Sequence, residues 1–357
     1  MKKILITVFS CVVAVMLCFN SFAVSPTLLG EKKIVENNGY VFPITEYKDS
    51  DLKIIRQYEN NMVSNYENNM VSNHDGFDIE QVRALLISLG IDESNVNKYS
   101  LDTLAQIAEC ERIVSTTSYS KYDKSGKHIY VDEKNALSVT REIELKEQAN
   151  FIKGVLDDGE PAVGEYEDSY MRVVHTAFDM GGGMYLFTTD SVWLTMPLFR
   201  GYDSIGSCAM NATVTPDSGS GSYSYDALIV TSMSPVVTET YLVPITVIQE
   251  KETGSWYGAA GIFNLPDNVI SDTHSIRYSN VAAHFQYNGH VNHPGLESYF
   301  NSNGSYSHST LALILSPSIS INSKGEFSAE IGLNTIWDTD VRTASVEVHY
   351  VPGFLLE

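Results

Sequence analysis

Residues 281–290, VAAHFQYNGH, alternate between apolar and polar positions. Val281, Ala283, Phe285 and Tyr287 fall on one side, and Ala282, His284, Gln286 and Asn288 on the other. A period of two predicts a half-buried strand. Asn288-Gly289 ends it with a pair that tolerates left-handed backbone. A second strand is expected after Gly304, with Leu311, Leu313 and Leu315 on one face and His308, Thr310, Ala312 and Ile314 on the other. Ser316-Pro317 marks its break, because proline cannot donate to a ladder. If these two strands pair, His284 and His308 approach one another.

Short runs of this kind fill the C-terminal half. MRVVHTAF, MYLFTTDSVWLTM, SCAMNATVT, SYDALIVTS, TYLVPITVI, SWYGAAGIF, SIRYS, EFSAEIGL and TASVEVHYV are each bounded by Gly, Pro, Asp, Asn or Ser. Closely spaced short strands with turn signals and no helix-length period predict a mainly antiparallel β-sandwich over 169–357, with a jelly roll or β-barrel as the alternative.

Upstream the period changes. Ile79, Val82, Leu85, Leu86 and Leu89 recur at helical spacing behind Asp78, with Gln81 three residues on and Gly90 after the last turn. This is a capped helix. Ser100 opens a second helix striped by Leu101, Leu104, Ile107 and Ala108. Ser115–Tyr122 and Lys127–Val131 flank a hairpin turn at 123–126. Its Asp-x-Ser-Gly lacks the later acidic positions of a calcium loop. Residues 134–153 carry helical charge pairs and are expected to be helical. The fold class expected is therefore α+β, a small N-terminal helical module (78–156, with its hairpin) followed by the sandwich.

Residues 24–77 read as a low-order leader, marked by the duplicated octapeptide YENNMVSN at 58–65 and 66–73. Two short copies are too few for a solenoid. Residues 157–168, DDGEPAVGEYED, read as a solvated acidic linker and the domain boundary. Ahead of all this, Lys2 and Lys3 precede an apolar run to Phe19, and Ser21-Phe22-Ala23 supplies small residues for cleavage. That layout is a secretory signal peptide over 1–23. No second run reaches the roughly 20 apolar residues that a membrane span needs, so a secreted chain without a membrane span after cleavage is expected.

Charge narrows the partners. The formal net charge is −21, which repels polyanions and excludes nucleic-acid binding and a polybasic membrane footprint. Charged residues are dense up to about residue 168 and sparse beyond it. Behind the leader only Cys110 and Cys208 remain, so there is no disulfide framework. One bridge between them and two buried thiols are both open.

Candidate chemistry is thin. There is no Gly-x-Ser-x-Gly elbow and no His-Glu-x-x-His motif, and Gly181-Gly182-Gly183 lies between strands, where it makes a turn. His284, His290, His293 and His308 are the metal-ligand candidates, and a divalent metal is the one cofactor they suggest, since imidazole suits zinc, copper and nickel. Asp338 and Asp340, beside Trp337, are the one suggestive carboxylate pair for acid–base hydrolysis, a reaction that needs two carboxylates across a cleft. Trp193, Trp256 and Trp337, with the tyrosines around them, are ligand-binding candidates, because aromatic rings give large contact area and a polar handle.

The segment from Ile79 to Ile113, running into VSTTSYSKY, resembles uncharacterised exported proteins of Gram-positive bacteria. The closing GSYSHST and SPSISIN do so as well. That resemblance implies an exported bacterial protein and brings no activity. The function expected is a non-enzymatic, exported binding or adhesion module contacting glycan, cell envelope or protein. The alternative is a secreted hydrolase, working through a metal on the histidines or through the carboxylate pair.

Overall fold

The structure is a computed structural model. It describes residues 30–49, 52–60, 78–122, 128–156, 169–197, 200–231, 234–253, 256–271, 274–296, 298–309, 317–321, 327–331 and 339–350. The leader 1–23, the second octapeptide copy, the acidic linker 157–168, Trp337 and Asp338 lie outside these residues.

The chain begins with three strands: β1 (Glu31–Asn37), β2 (Tyr40–Lys48) and β3 (Ile54–Glu59). Helices α1 (Ile79–Ser88), α2 (Glu93–Val96) and α3 (Leu101–Ala108) follow, then β4 (Arg112–Tyr122), β5 (His128–Tyr130) and the long helix α4 (Glu133–Leu156). The remaining strands are β6 (Ser169–Asp179), β7 (Met184–Trp193), β8 (Tyr202–Met210), β9 (Ala212–Val214), β10 (Ser220–Thr231) and β11 (Ser234–Pro244). After these come β12 (Thr246–Thr253), β13 (Trp256–Asn264), β14 (Val269–Ile270), β15 (His274–Val291), β16 (Ser298–Ser309), β17 (Pro317–Ile321), β18 (Phe327–Ile331) and β19 (Thr339–Tyr350).

Two open antiparallel sheets stack face to face. The long one runs β1-β2-β3-β4-β6-β7-β15-β10-β11, and the short one β12-β13-β8-β16-β19. Their shared interior is apolar, with Val173, Phe187, Ala283 and Phe285 from the long sheet against Ile205, Ala259, Phe300 and Val346 from the short one. The two sheets approach each other closely at Gly304. A Cβ there would stand 2.6 Å from Thr189 Oγ1 and 2.7 Å from His175 Cβ.

This corrects the expected α+β organisation. The chain is mostly β, and the helices are not an N-terminal module preceding a β domain. Strands β1–β3 come first, inside the stretch expected to be a low-order leader, and β3 pairs with β4. β4 then pairs with β6 along its whole length, across the acidic segment expected to divide two domains. The long sheet therefore continues through both halves. Helices α1–α3 lie on its outer face, burying Leu85, Leu86, Leu104 and Ile107 against Phe42, Ile44, Val174 and Phe178.

The helix signals themselves have the expected local causes. Asp78 accepts from the backbone N–H groups of Glu80 and Gln81, and Ser100 from that of Thr103. Gly90, at φ +100°, turns the chain out of the first helix, where a side chain would be strained. Helix α4 lies over the same outer face further along. Phe151 packs on Leu228 and Val230, and Arg277 of β15 forks onto Glu144 at 2.8 and 2.9 Å and reaches Glu147 at 3.0 Å.

The second strand expected in the 281–321 stretch is described only as far as Ser309, and its Leu311, Leu313 and Leu315 lie outside the described residues. The described part, β16, sits in a different sheet from β15: β15 pairs with β7 and β10, and β16 with β8 and β19. Cys110 and Cys208 are both buried, and burial pushes the Cys110 thiol up to about 12.

Candidate functional site

The histidines nominated from sequence are not gathered into one site. His284 points from β15 toward the helices. Its Nδ1 lies 2.9 Å from Asp190 Oδ1 and its ring 4.2 Å from that of Tyr99. His308 is buried in the interior, with Nδ1 2.7 Å from Asp203 Oδ1 and its ring edge-on to Trp193 at 5.3 Å. His290 and His293 are exposed. Among the described residues no group of three or more His, Cys, Asp or Glu side chains is placed to hold a metal ion. The reason lies in the topology: separating β15 from β16 into two sheets keeps their histidines in two environments.

Of the tryptophans and the carboxylate pair, Trp193 is the one whose surroundings the structure describes. Trp193 is 2% exposed. Its indole N–H donates to Tyr306 Oη at 2.8 Å, and the guanidinium of Arg342 lies over its ring at 4.8 Å. It is a core residue. Trp256 falls on strand β13 and Asp340 on β19, while Trp337 and Asp338 are outside the described residues.

Several buried ionisable groups already have partners. Under the helices, Asp190 accepts from Tyr99 Oη at 3.0 Å beside its contact with His284. Lys98 donates to Ser94 O and Asn95 Oδ1. Burial brings the Lys98 ammonium down to about 8, against the pull of Asp190 and Asp92. Asp92 is pushed up by burial, but Arg172 and the Ser94 donors more than offset this and hold it below its usual range. In the interior His175 Nε2 lies 2.7 Å from Ser302 Oγ, and burial drops its imidazole to about 3. That ring is neutral and its neighbours are fixed. These networks join layers, as satisfied buried polar groups do.

The residues that do form an open site are tyrosines of β8, β10, β11 and β15. A cleft of about 280 Å³ opens where the chain passes from the long sheet to the short one. It is lined by Tyr202, Tyr223, Val243, Thr246, Ile262, Phe263 and their neighbours. From its floor a run of rings leads outward. Phe263 stacks on Tyr223 at 4.6 Å, Tyr223 lies 6.0 Å from Tyr225, and Tyr225 stacks on Tyr241 at 5.3 Å. Tyr278 stands edge-on to Tyr225, also at 5.3 Å.

The cause is register. Tyr225 faces Tyr241 across the β10–β11 ladder, and Tyr278 faces Ala227 across β10–β15. A bulge in β15 at Asn280 (φ +52°) shifts the alternation by one residue. Tyr278 therefore shares the interior-side face with Ala283 and Phe285. The long sheet carries this face beyond the short sheet's end, and Tyr241 is 39% exposed there.

The phenols are held protonated, and two of them already donate within the protein, Tyr223 to Asn264 O and Tyr241 to Glu239 Oε2. Burial raises Tyr223 and Tyr225 above their usual value, and the hydrogen bond to Glu239 raises Tyr241. Among the described residues that line the cleft there is no carboxylate, histidine or cysteine. Chemically, the cleft offers stacking area and hydroxyl groups.

No known protein family matches the chain, and no curated protein is similar to it. Among solved structures, Clostridium perfringens delta-toxin aligns at 8% identity with a TM-score of 0.21, over 67% of this chain and 90% of that one. A second, described as a pore forming protein, aligns at 6% identity with a TM-score of 0.23, over 67% and 96%. Likeness at that level carries no inference about this chain.

Proposed function

We propose that the chain is an exported, non-enzymatic module that binds a carbohydrate of the cell envelope through the tyrosine shelf and its cleft. One observation carries this reading: a continuous run of rings from Phe263 to Tyr241 opens to solvent beside a cleft whose described lining is aromatic, aliphatic and hydroxyl-bearing, with no carboxylate among it. Sugar rings present apolar faces flanked by hydroxyls. Tyrosine matches both, with a rigid flat ring and a phenol that donates or accepts. Glycoside cleavage would need two carboxylates within about 10 Å across the bound sugar, and the cleft supplies neither.

The test is retention without turnover. The exported form beginning at Val24, the start its leader implies, is incubated with cell-wall material and soluble polysaccharides. Bound protein and released sugar are both measured. Retention that falls in Tyr241→Ala, with no soluble product, is expected. Release of product by the parent chain would overturn the reading in favour of a hydrolase.

A further inference from the structure

Strand β11 ends the long sheet. Among the described residues nothing pairs with its outer edge. Eleven residues are long for an edge, whose free N–H and C=O groups are a template for another strand. It is interrupted near one end only, where Pro235 and Val236 stand together against Val230 in a bulge, and its composition guards the rest little. SPVVTETYLVP has a proline near each end, one charge, Glu239, and no lysine. Both faces of the strand are bare, with Val237 (42% exposed) and Tyr241 on the interior side, and Val236 (41%) and Leu242 (64%) on the other.

Val237 also completes a row. It pairs with Ile229 of β10, Ile229 pairs with Ile276 of β15, and Ile276 pairs with Val269 of β14. Directly paired residues share a face, so four aliphatic side chains stand abreast across four strands and stop at the edge. The opposite face of β10 is covered by α4 through Phe151, and the row ends at β11 on one side and at the two-residue strand β14 on the other.

We propose that the occupant of this edge is the β11 strand of a second copy, running antiparallel about a two-fold axis at Val237. In that register Val237 meets its own counterpart. The aliphatic row doubles to eight residues, and Glu239 falls opposite the bulged start of the other copy's strand, at Ser234–Pro235, not opposite a second Glu239. An isologous edge pairing needs this self-complementarity, and the sequence of β11 provides it with no like charges in register. Such an axis stands perpendicular to the sheet, so both interior-side faces lie on one side. Two tyrosine shelves then face the same way, with their Tyr241 residues about 27 Å apart along the strands. If the carbohydrate reading holds, one polymer spans both shelves and is retained by avidity; the pairing itself does not depend on that reading.

The net charge of −21 per copy opposes association, so the dimer should tighten as salt screens it. The experiment is sedimentation equilibrium of the exported chain at low and high ionic strength. A reversible dimer is expected, tighter at high salt. Val237→Lys, which sets two ammonium groups across the axis, should raise the dissociation constant at least tenfold, with the melting temperature and the binding of a short, monovalent oligosaccharide unchanged. Should that variant misfold, Val236→Lys tests the same edge from the other face. Val237→Cys should form a covalent dimer on mild oxidation and Leu242→Cys should not, since the native thiols are buried. A chain monomeric at both salts, a dimer indifferent to both lysine variants, or cross-linking at Leu242→Cys in place of Val237→Cys would overturn the proposal. So would a strictly monomeric chain whose Val237 mediates binding to phosphatidylcholine vesicles. Loss of oligosaccharide binding in a chain that still dimerises would count against the carbohydrate reading alone.

Discussion

Tyr241 lies nearly parallel to Tyr225, 5.3 Å between ring centroids and 20° between planes, with its hydroxyl 2.5 Å from Glu239 Oε2. The pair is set before any ligand arrives. Direct register across β10–β11 fixes the ring spacing, and the carboxylate holds the outer ring's tilt. A platform ordered in advance loses little freedom on binding.

Truncating that outer ring should therefore act on binding and not on folding. Tyr241→Ala is expected to weaken polysaccharide binding roughly tenfold, the range of an aromatic anchor, with an unchanged melting temperature. Calorimetric titration and thermal unfolding on the same samples check both. Equal affinity in parent and variant would remove Tyr241 from the site.

Trp193 should behave in the opposite way. Its indole donates to Tyr306 Oη and lies beneath Arg342, whose guanidinium also donates to the carbonyls of Ser120 and Ser169. Trp193→Phe keeps a ring but leaves a buried hydroxyl without its donor, at a cost of about 1–3 kcal/mol. Denaturant unfolding should show that loss while polysaccharide affinity stays at the parent value. A Trp193 variant with normal stability and lost binding would restore it as a ligand residue.

The sequence was legible where the signals are local. Asp78, Gly90 and Ser100 punctuate the first helices, and the alternation of Val281, Ala283, Phe285 and Tyr287 does mark the interior side of β15. Strands β1–β3 were not legible, because edge-proximal strands such as EKKIVEN carry charges on their exposed positions and read as polar leader. The order of strands was hidden too. Nothing local in β4 and β6 says that they pair across the acidic segment, and that pairing turned the expected helical module into a cap on one sheet. The site was missed for a related reason. Tyr225, Tyr241 and Tyr278 lie on three strands, and the bulge at Asn280 reverses the alternation between Tyr278 and Ala283. Sequence pointed to tryptophans and histidines because those residue types are conspicuous. Yet Trp193 and His308 pack against each other inside the core.

Gly304 tests the fit between the two sheets. Its missing side chain lets β16 approach His175 and Thr189, and a Cβ would come within 2.7 Å of both. Gly304→Ala should destabilise by about 1–3 kcal/mol through overpacking, and it should disturb the contact between His175 and Ser302 next to it. Equilibrium unfolding checks the magnitude. An alanine variant as stable as the parent would mean that the sheets separate there at no cost.

Stability should depend on pH through Glu147. Burial pushes its carboxyl up to about 7, although the Arg277 guanidinium pulls the other way. In the unfolded chain the group returns to an ordinary value near 4.5. Between those values the folded chain binds a proton that the unfolded chain lacks. By linkage the stability contributed by this group is then complete below about pH 4.5, falls as pH rises, and is gone above about 7. Glu111, raised by burial and by Asp179, acts in the same direction. Asp92 and Glu46, both held low, act only in more acidic solution, and Lys98 only above about pH 8. Glu147→Gln keeps the shape, leaves Arg277 forked on Glu144, and removes the titration. His175, which burial drops to about 3, acts in the opposite direction up to about pH 6.5 in parent and variant alike, so the expected signal is a difference: the parent's melting temperature should fall relative to the variant's between pH 5 and pH 7.5. Parallel curves across that window would show that Glu147 titrates normally and that α4 is not seated on the sheet as described.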